Sequence, residues 1–154
     1  MTEPCILGID PGASGALSFY FPSHPELIAV EDAPLVAGEI DAAQVARRIE
    51  QMAPTMAVIE LVGSMPKQGV SSTFKFGVAY GAVRGVVAAL GVPTHLVTPS
   101  VWKKHFRLDS DKEKVRALAI RYWPTSQHFE RKKDHGRAEA ALIARYGAEI
   151  LLSR

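Results

Sequence analysis

The chain alternates short apolar runs with amphipathic stretches, and the period of each predicts its element. Cys5 to Ile9 is a short apolar run of strand character, and Asp-Pro-Gly follows it. A second strand over Ala16 to Phe21, reached through a turn around Gly12 to Gly15, makes a hairpin. A third strand is expected near Leu27 to Glu31. From about Glu39 to Met52 the residues Ile40, Val45 and Ile49 recur at roughly helical spacing, with Arg47, Arg48 and Glu50 away from that face, and Pro54 ends the helix. Met56 to Val62 is a fully apolar strand apart from Glu60, and the Gly-, Ser- and Lys-rich stretch Gly63 to Ser72 is expected to be a mobile loop. Phe74 to Leu90 predicts a long helix closed by Gly91 and Pro93, and His95 to Thr98 another strand. Pro99 to Phe106 and Asp111 to Trp123 predict two helices, the second capped by Asp111 and stopped by Pro124. A basic loop, Arg131 to Lys133, leads into a final helix running to about Leu152. Early strands followed by alternating helix and strand predict an α/β fold, a mixed sheet with helices on both faces.

At 154 residues, 47% apolar and 22% charged, the chain is expected to form one globular domain over residues 1–154, with a full core and no disordered or disulfide-stapled character. A single cysteine, Cys5, can form neither an internal disulfide nor a Cys-rich zinc site, and no signal peptide or membrane span is read. The cytoplasm is the expected compartment, with no membrane partner. The net charge of +2 hides an asymmetry: residues 1–60 hold two basic side chains against nine acidic, and residues 61–154 hold sixteen basic against seven acidic. Between Lys103 and Arg137 eleven Lys and Arg stand against five Asp and Glu, either a cationic face for a polyanion or a solvated helix surface.

Three acids occupy positions where acids are costly. Asp10 ends the first strand on the side of Ile6 and Gly8, and Glu60 takes the matching place on the side of Met56 and Val58. Glu139, in the first turn of the last helix, has Leu142, Ile143, Tyr146 and Ile150 as helical neighbours and therefore faces the core side. A carboxylate on a buried face costs several kcal/mol unless a cation or hydrogen bonds offset its lost hydration. No lysine or arginine stands within these strands, whereas a divalent cation with oxygen ligands neutralises two or three acids at once. Asp134 can supply a fourth oxygen, which defines a Mg²⁺ or Mn²⁺ site. Each acid alone has a structural alternative: Asp10 as a turn former, Glu139 as a complement to the helix dipole, Glu60 at a solvated strand end. The five histidines show no zinc-binding spacing, and His135, beside Asp134, is the one that bears on this site.

These residues sit in motifs. Ile6-Leu7-Gly8-Ile9-Asp10-Pro11-Gly12, then Ala57-Val58-Ile59-Glu60, then Gly77-Val78-Ala79-Tyr80-Gly81-Ala82-Val83-Arg84-Gly85 resemble the RuvC branch of the ribonuclease H-like nucleases, whose members resolve Holliday junctions. Pro99-Ser100-Val101-Trp102-Lys103, Lys112 through Trp123-Pro124, and Lys132-Lys133-Asp134-His135-Gly136-Arg137-Ala138-Glu139-Ala140-Ala141-Leu142-Ile143-Ala144 resemble the chloroplast-type resolvases. Nearly the whole chain is covered.

The resemblance implies a ribonuclease H-like mixed five-stranded sheet and Mg²⁺-dependent phosphodiester hydrolysis with two ions per site, Mn²⁺ being an alternative ion. Asp10, Glu60, Asp134 and Glu139 are the implied catalytic and metal-binding residues, Asp10 bridging both ions and Asp134 or His135 orienting the water. Two departures stand out: Gly136 occupies the place of an acid or histidine in bacterial RuvC proteins, and Gly63 stands near the place of an aromatic wedge, leaving Met65 or Phe74 to serve. The candidate DNA contacts are Lys67, Lys75, Lys103, Lys104, Arg107, Arg131, Lys132, Lys133 and Arg137, with Lys67 and Lys75 nearest the junction. Trp102 and Trp123 are read as core anchors. The implied partner is branched DNA, a four-way junction cut by a homodimer with paired symmetric nicks, and the helix Phe74 to Leu90, lined with glycine and alanine, is its candidate seam. That stripe could equally pack on the sheet within one chain. A flap or RNA/DNA-hybrid nuclease and a non-catalytic junction-binding module are the alternative functions.

Overall fold

The computed structural model describes residues 3–63 and 69–152. Strands β1 (Ile6–Asp10), β2 (Ala16–Tyr20) and β3 (Ile28–Asp32) form an antiparallel meander, and β4 (Leu35–Val36) and β5 (Glu39–Ile40) a small separate hairpin. Helix α1 (Ala42–Met52) leads to β6 (Met56–Glu60), α2 (Val70–Ala89) to β7 (Thr94–Val97), and α3 (Pro99–His105), α4 (Lys112–Tyr122) and α5 (His135–Tyr146) follow. The main sheet has the order β3-β2-β1-β6-β7, with β6 parallel to β1 and β7 parallel to β6. It is the expected five-stranded mixed sheet.

Alternation along the central strands sorts the core into two layers. Ile6, Met56 and Val58 face α5 and the aromatic residues Trp102, Trp123 and Phe129, while Leu7, Ile9, Ala57 and Ile59 face Val45 and Ile49 of α1 and Val83 and Val87 of α2. Both faces of β1 and β6 are thus covered, which is why these strands read as continuous apolar runs.

The seam between β1 and α5 is unusually close. A Cβ at Gly8 would lie 2.6 Å from Ala144 N and nearer still to the Ala140 carbonyl, so only glycine fits. Ser18, fully buried on β2, donates its hydroxyl to the same Ala140 carbonyl at 2.6 Å. Helix and sheet meet through backbone and small side chains here, and Glu139 lies one residue before Ala140.

Three boundaries differ from the sequence expectation, each for a local reason. Glu39 and Ile40 are strand rather than helix: Ala37 and Gly38 both have positive φ (52° and 80°), the conformation a tight hairpin turn needs, and the helix starts only after Asp41, whose side chain accepts from Gln44 N at 3.2 Å. Helix α2 begins at Val70, so part of the expected loop is helical; residues 64–68 lie outside the described ones. The last helix is α-helical to Tyr146 and widens over Gly147–Leu151, where Leu152 N reaches Gly147 O at 2.9 Å.

Gly8→Ala is expected to force β1 and α5 apart and to destabilise the fold by about 3 kcal/mol, measured as a lower midpoint in urea.

Candidate metal centre

Because β1 and β6 run parallel and in register, with Ile9 beside Ile59, their last residues Asp10 and Glu60 emerge side by side at the carboxyl ends of two central strands. The close seam then brings Glu139 of α5 over them. One carboxylate oxygen from each of Asp10, Glu60 and Glu139 lies within 4.8 Å of the others, close enough for a shared ion. Glu60 is 6% exposed and the other two are partly buried.

Such proximity is electrostatically unfavourable without a cation. Burial, followed by the charges of Glu139 and Glu60, pushes the Asp10 carboxyl well above the ordinary carboxylate range. Burial raises Glu60 as well, against the hydrogen bond from Trp102, whose indole Nε1 donates to Glu60 Oε2 at 2.8 Å. Glu139 is raised by burial and eased by Lys103 and Lys112. Those two lysines also lower Asp10, so they face the cluster across a distance at which charge still acts. Neither forms an ion pair with it among the described residues. Three oxygen donors with no cationic side chain in contact suit a hard divalent cation, the donor chemistry of Mg²⁺ or Mn²⁺.

Asp134, expected as a fourth oxygen ligand, is not in this group. Its two oxygens take the Arg131 side chain at 2.8 Å and the Arg131 backbone N–H at 2.8 Å, and Arg137 stands 3.8 Å away. Burial opposes its ionisation, yet the Arg131 hydrogen bonds prevail and hold the carboxyl below its usual range. Its neighbour His135 is different: Nδ1 is buried with no hydrogen-bond partner among the described residues, and burial together with Lys112 keeps the ring neutral at lower pH than usual. Gly136 abuts the cluster, since a Cβ there would lie 3.2 Å from Asp10 Oδ2 and 3.1 Å from Ser14 O. The position that departs from the bacterial pattern is therefore the one where the helix backbone presses directly on Asp10.

The expected DNA contacts fall into groups. Lys103, Lys104 and Arg107 line an open groove of about 620 Å³ beside α3, and Arg131 and Lys133 line a cleft of about 390 Å³ with Ser14 and His135. Lys132 is exposed nearby. Lys75 and the exposed Phe74 line a groove of about 280 Å³ against the β4–β5 hairpin. Lys67 and Met65 lie outside the described residues. Arg137 is committed elsewhere: it donates to both oxygens of Asp32, at 2.8 and 3.0 Å, tying α5 to the end of β3. Lys112 was not among the expected contacts. The signal for it is a lysine in the first turn of a helix, where the macrodipole disfavours positive charge. Trp102 is a core anchor, fully buried, but its bond to Glu60 also makes it part of the site.

The strand order and the placement of the helices give the chain a ribonuclease H-like fold. The solved structures bear this out: Thermus thermophilus RuvC in complex with Holliday junction substrate aligns at TM-score 0.63 and 19% identity over 96% of each chain. A second structure of Thermus thermophilus RuvC aligns at TM-score 0.63 and 18% identity, over 95% of this chain and 96% of that one. The yeast mitochondrial Holliday junction resolvase Ydc2 aligns at TM-score 0.54 and 19% identity, over 99% of this chain and 84% of that one. No protein-family profile and no curated protein matches the sequence. At such identities the likeness is one of fold. No helix among the described residues is long and apolar enough to cross a membrane.

Raised carboxyl groups keep protons in the folded chain that the unfolded chain has released. Their stabilising contribution is present below the ordinary carboxylate value of about 4 and is lost as pH rises through the raised values. Metal-free Asp10→Asn is therefore expected to melt higher than wild type at pH 8, by roughly 3 °C or more, with the gap closing toward pH 4. Mg²⁺ is expected to raise the wild-type melting temperature at pH 8 and not that of the variant, as differential scanning calorimetry will register.

Proposed function

We propose that this protein is a structure-selective endonuclease that resolves Holliday junctions by metal-dependent phosphodiester hydrolysis, with paired symmetric nicks. The observation that carries the proposal is the convergence of Asp10, Glu60 and Glu139 within 4.8 Å on a RuvC-like fold. The sequence likeness of Lys132 to Ala144 to the chloroplast-type resolvases supports the same substrate. Asp10, Glu60 and Glu139 would hold the Mg²⁺ or Mn²⁺ ions, two to a site. When bound, the ions supply a Lewis-acidic centre that favours ionised water and stabilises charge on the departing 3′ oxygen. His135, beside Asp134 at the start of α5, would orient the attacking water. Asp134 holds Arg131 in place rather than contributing a ligand oxygen.

The basic side chains overcome the repulsion between DNA and an acidic site. Lys103 and Lys112 bias the cluster's charge, while Lys104, Arg107, Lys132 and Lys133 are left to contact phosphates, with Lys67 and Lys75 near the junction centre and Phe74 as the wedge. Matched nicks require two sites related by symmetry. The seam of a homodimer is the open face of α2, where Cβ atoms at Gly77, Gly81 and Gly85 would meet nothing within 4 Å and Val70 is exposed. The single cysteine, buried and unpaired, accords with a cytoplasmic setting.

The test is a Mg²⁺-dependent digest of a synthetic immobile four-way junction, mapped to nucleotide resolution beside a flap, an RNA/DNA hybrid and a linear duplex. Paired nicks at symmetric positions of the junction are expected, with Asp10→Asn and Glu60→Gln binding the junction but not cutting it. Preferential cutting of flap or hybrid reassigns the substrate. Undiminished cutting by both variants overturns the assignment of the centre.

A further inference from the structure

A fully buried indole needs an acceptor for its N–H, and the two tryptophans of this chain solve the problem differently. Trp123 donates to a backbone carbonyl, Pro25 O, at 3.0 Å. Trp102 donates to a carboxylate oxygen of the acidic cluster, Glu60 Oε2, at 2.8 Å. The partners are brought together by one strand end: Glu60 pairs with Val97 in the β6–β7 ladder, and the chain passes through Thr98 straight into α3, which carries Trp102. The indole is held on all sides, with no exposed surface, so it can fix the torsion of a flexible glutamate.

The chemistry of the donor matters. A lysine or arginine at this point would pair with Glu60 and cancel the charge that attracts a cation. An indole N–H does not ionise and accepts no proton, so it orients the carboxylate and leaves its charge available. The ring also lies under the Lys103 ammonium, 5.5 Å from its centroid, which ties a lysine that acts on all three acids to the same side chain. We infer that Trp102 is a positioning residue of the metal centre, clamping one oxygen of Glu60 so that this acid meets Asp10 and Glu139 as a preset ligand. The inference rests on the metal-centre reading above and adds to it a residue that touches neither ion nor DNA.

The full chain labelled with ¹⁵N-tryptophan gives the test, with the indole N–H signals assigned through Trp123→Phe. On titration with Mg²⁺, the Trp102 indole signal is expected to shift while that of Trp123 stays in place. Trp102→Phe is expected to keep the wild-type circular dichroism and to bind Mn²⁺ roughly tenfold or more weakly by electron paramagnetic resonance. A Trp102 signal that ignores an ion bound by wild type, or unchanged Mn²⁺ affinity in the folded variant, overturns the positioning role and leaves the metal centre standing. If wild type binds no divalent ion, the nuclease reading fails and this inference falls with it. Should Trp102→Phe not fold, the indole titration of wild type decides alone.

Discussion

Three carboxylates held within 4.8 Å of one another in a partly buried site repel, and the fold must resist that repulsion wherever no cation is present. The resistance comes from backbone geometry. Asp10 and Glu60 are fixed by the parallel ladder of β1 and β6, and Glu139 by a helix pressed so close to β1 that Gly8 admits no side chain. Ser18 and the Ala140 carbonyl close the contact with a buried hydrogen bond. None of these elements can relax the acids apart without giving up core contacts. The chain thus sustains a locally unfavourable charge arrangement by means of the most rigid parts of its framework, which is the pattern expected of a site kept for chemistry.

The surroundings are graded by charge. Closest to the acids stand neutral groups, the Trp102 indole and the backbone at Gly136. Farther out, Lys103 and Lys112 act on the cluster through space without pairing to it. Arg131 and Arg137 are drawn off into pairs with Asp134 and Asp32. The inner shell therefore leaves the acids free for a cation, and the outer shell supplies positive potential for an anion arriving from solvent.

Much of this was legible in the residues. The costly placement of Asp10 and Glu60 follows from strand periodicity, because both share a face with apolar neighbours that a buried sheet requires, and that of Glu139 from helical spacing. The same periodicity assigns the five strands of the main sheet. What escaped were features set by which groups pair, whether close along the chain or far apart. Asp134 carries a ligand's functional group next to the right helix, and its pairing with the neighbouring Arg131 is one that no one-dimensional pattern shows. Glu39 and Ile40 continue a helical pattern, yet the positive φ of Ala37 and Gly38 folds them into a hairpin. Trp102 lies in the core, as its apolar helical neighbours predict; that its N–H finds Glu60 depends on the β6–β7 register.

The contact between β1 and α5 also has a temporal side. Ser18 of β2 and Ala140 of α5 are separated by 122 positions, so this strand acquires its covering helix only after the whole segment between them has been made. Until then one face of the central sheet lies bare, and contacts of such long range make for slow, aggregation-exposed maturation. The acidic cluster cannot be assembled earlier than that helix. The geometry of the three acids is therefore a late product of folding, complete only once α5 has docked on the sheet.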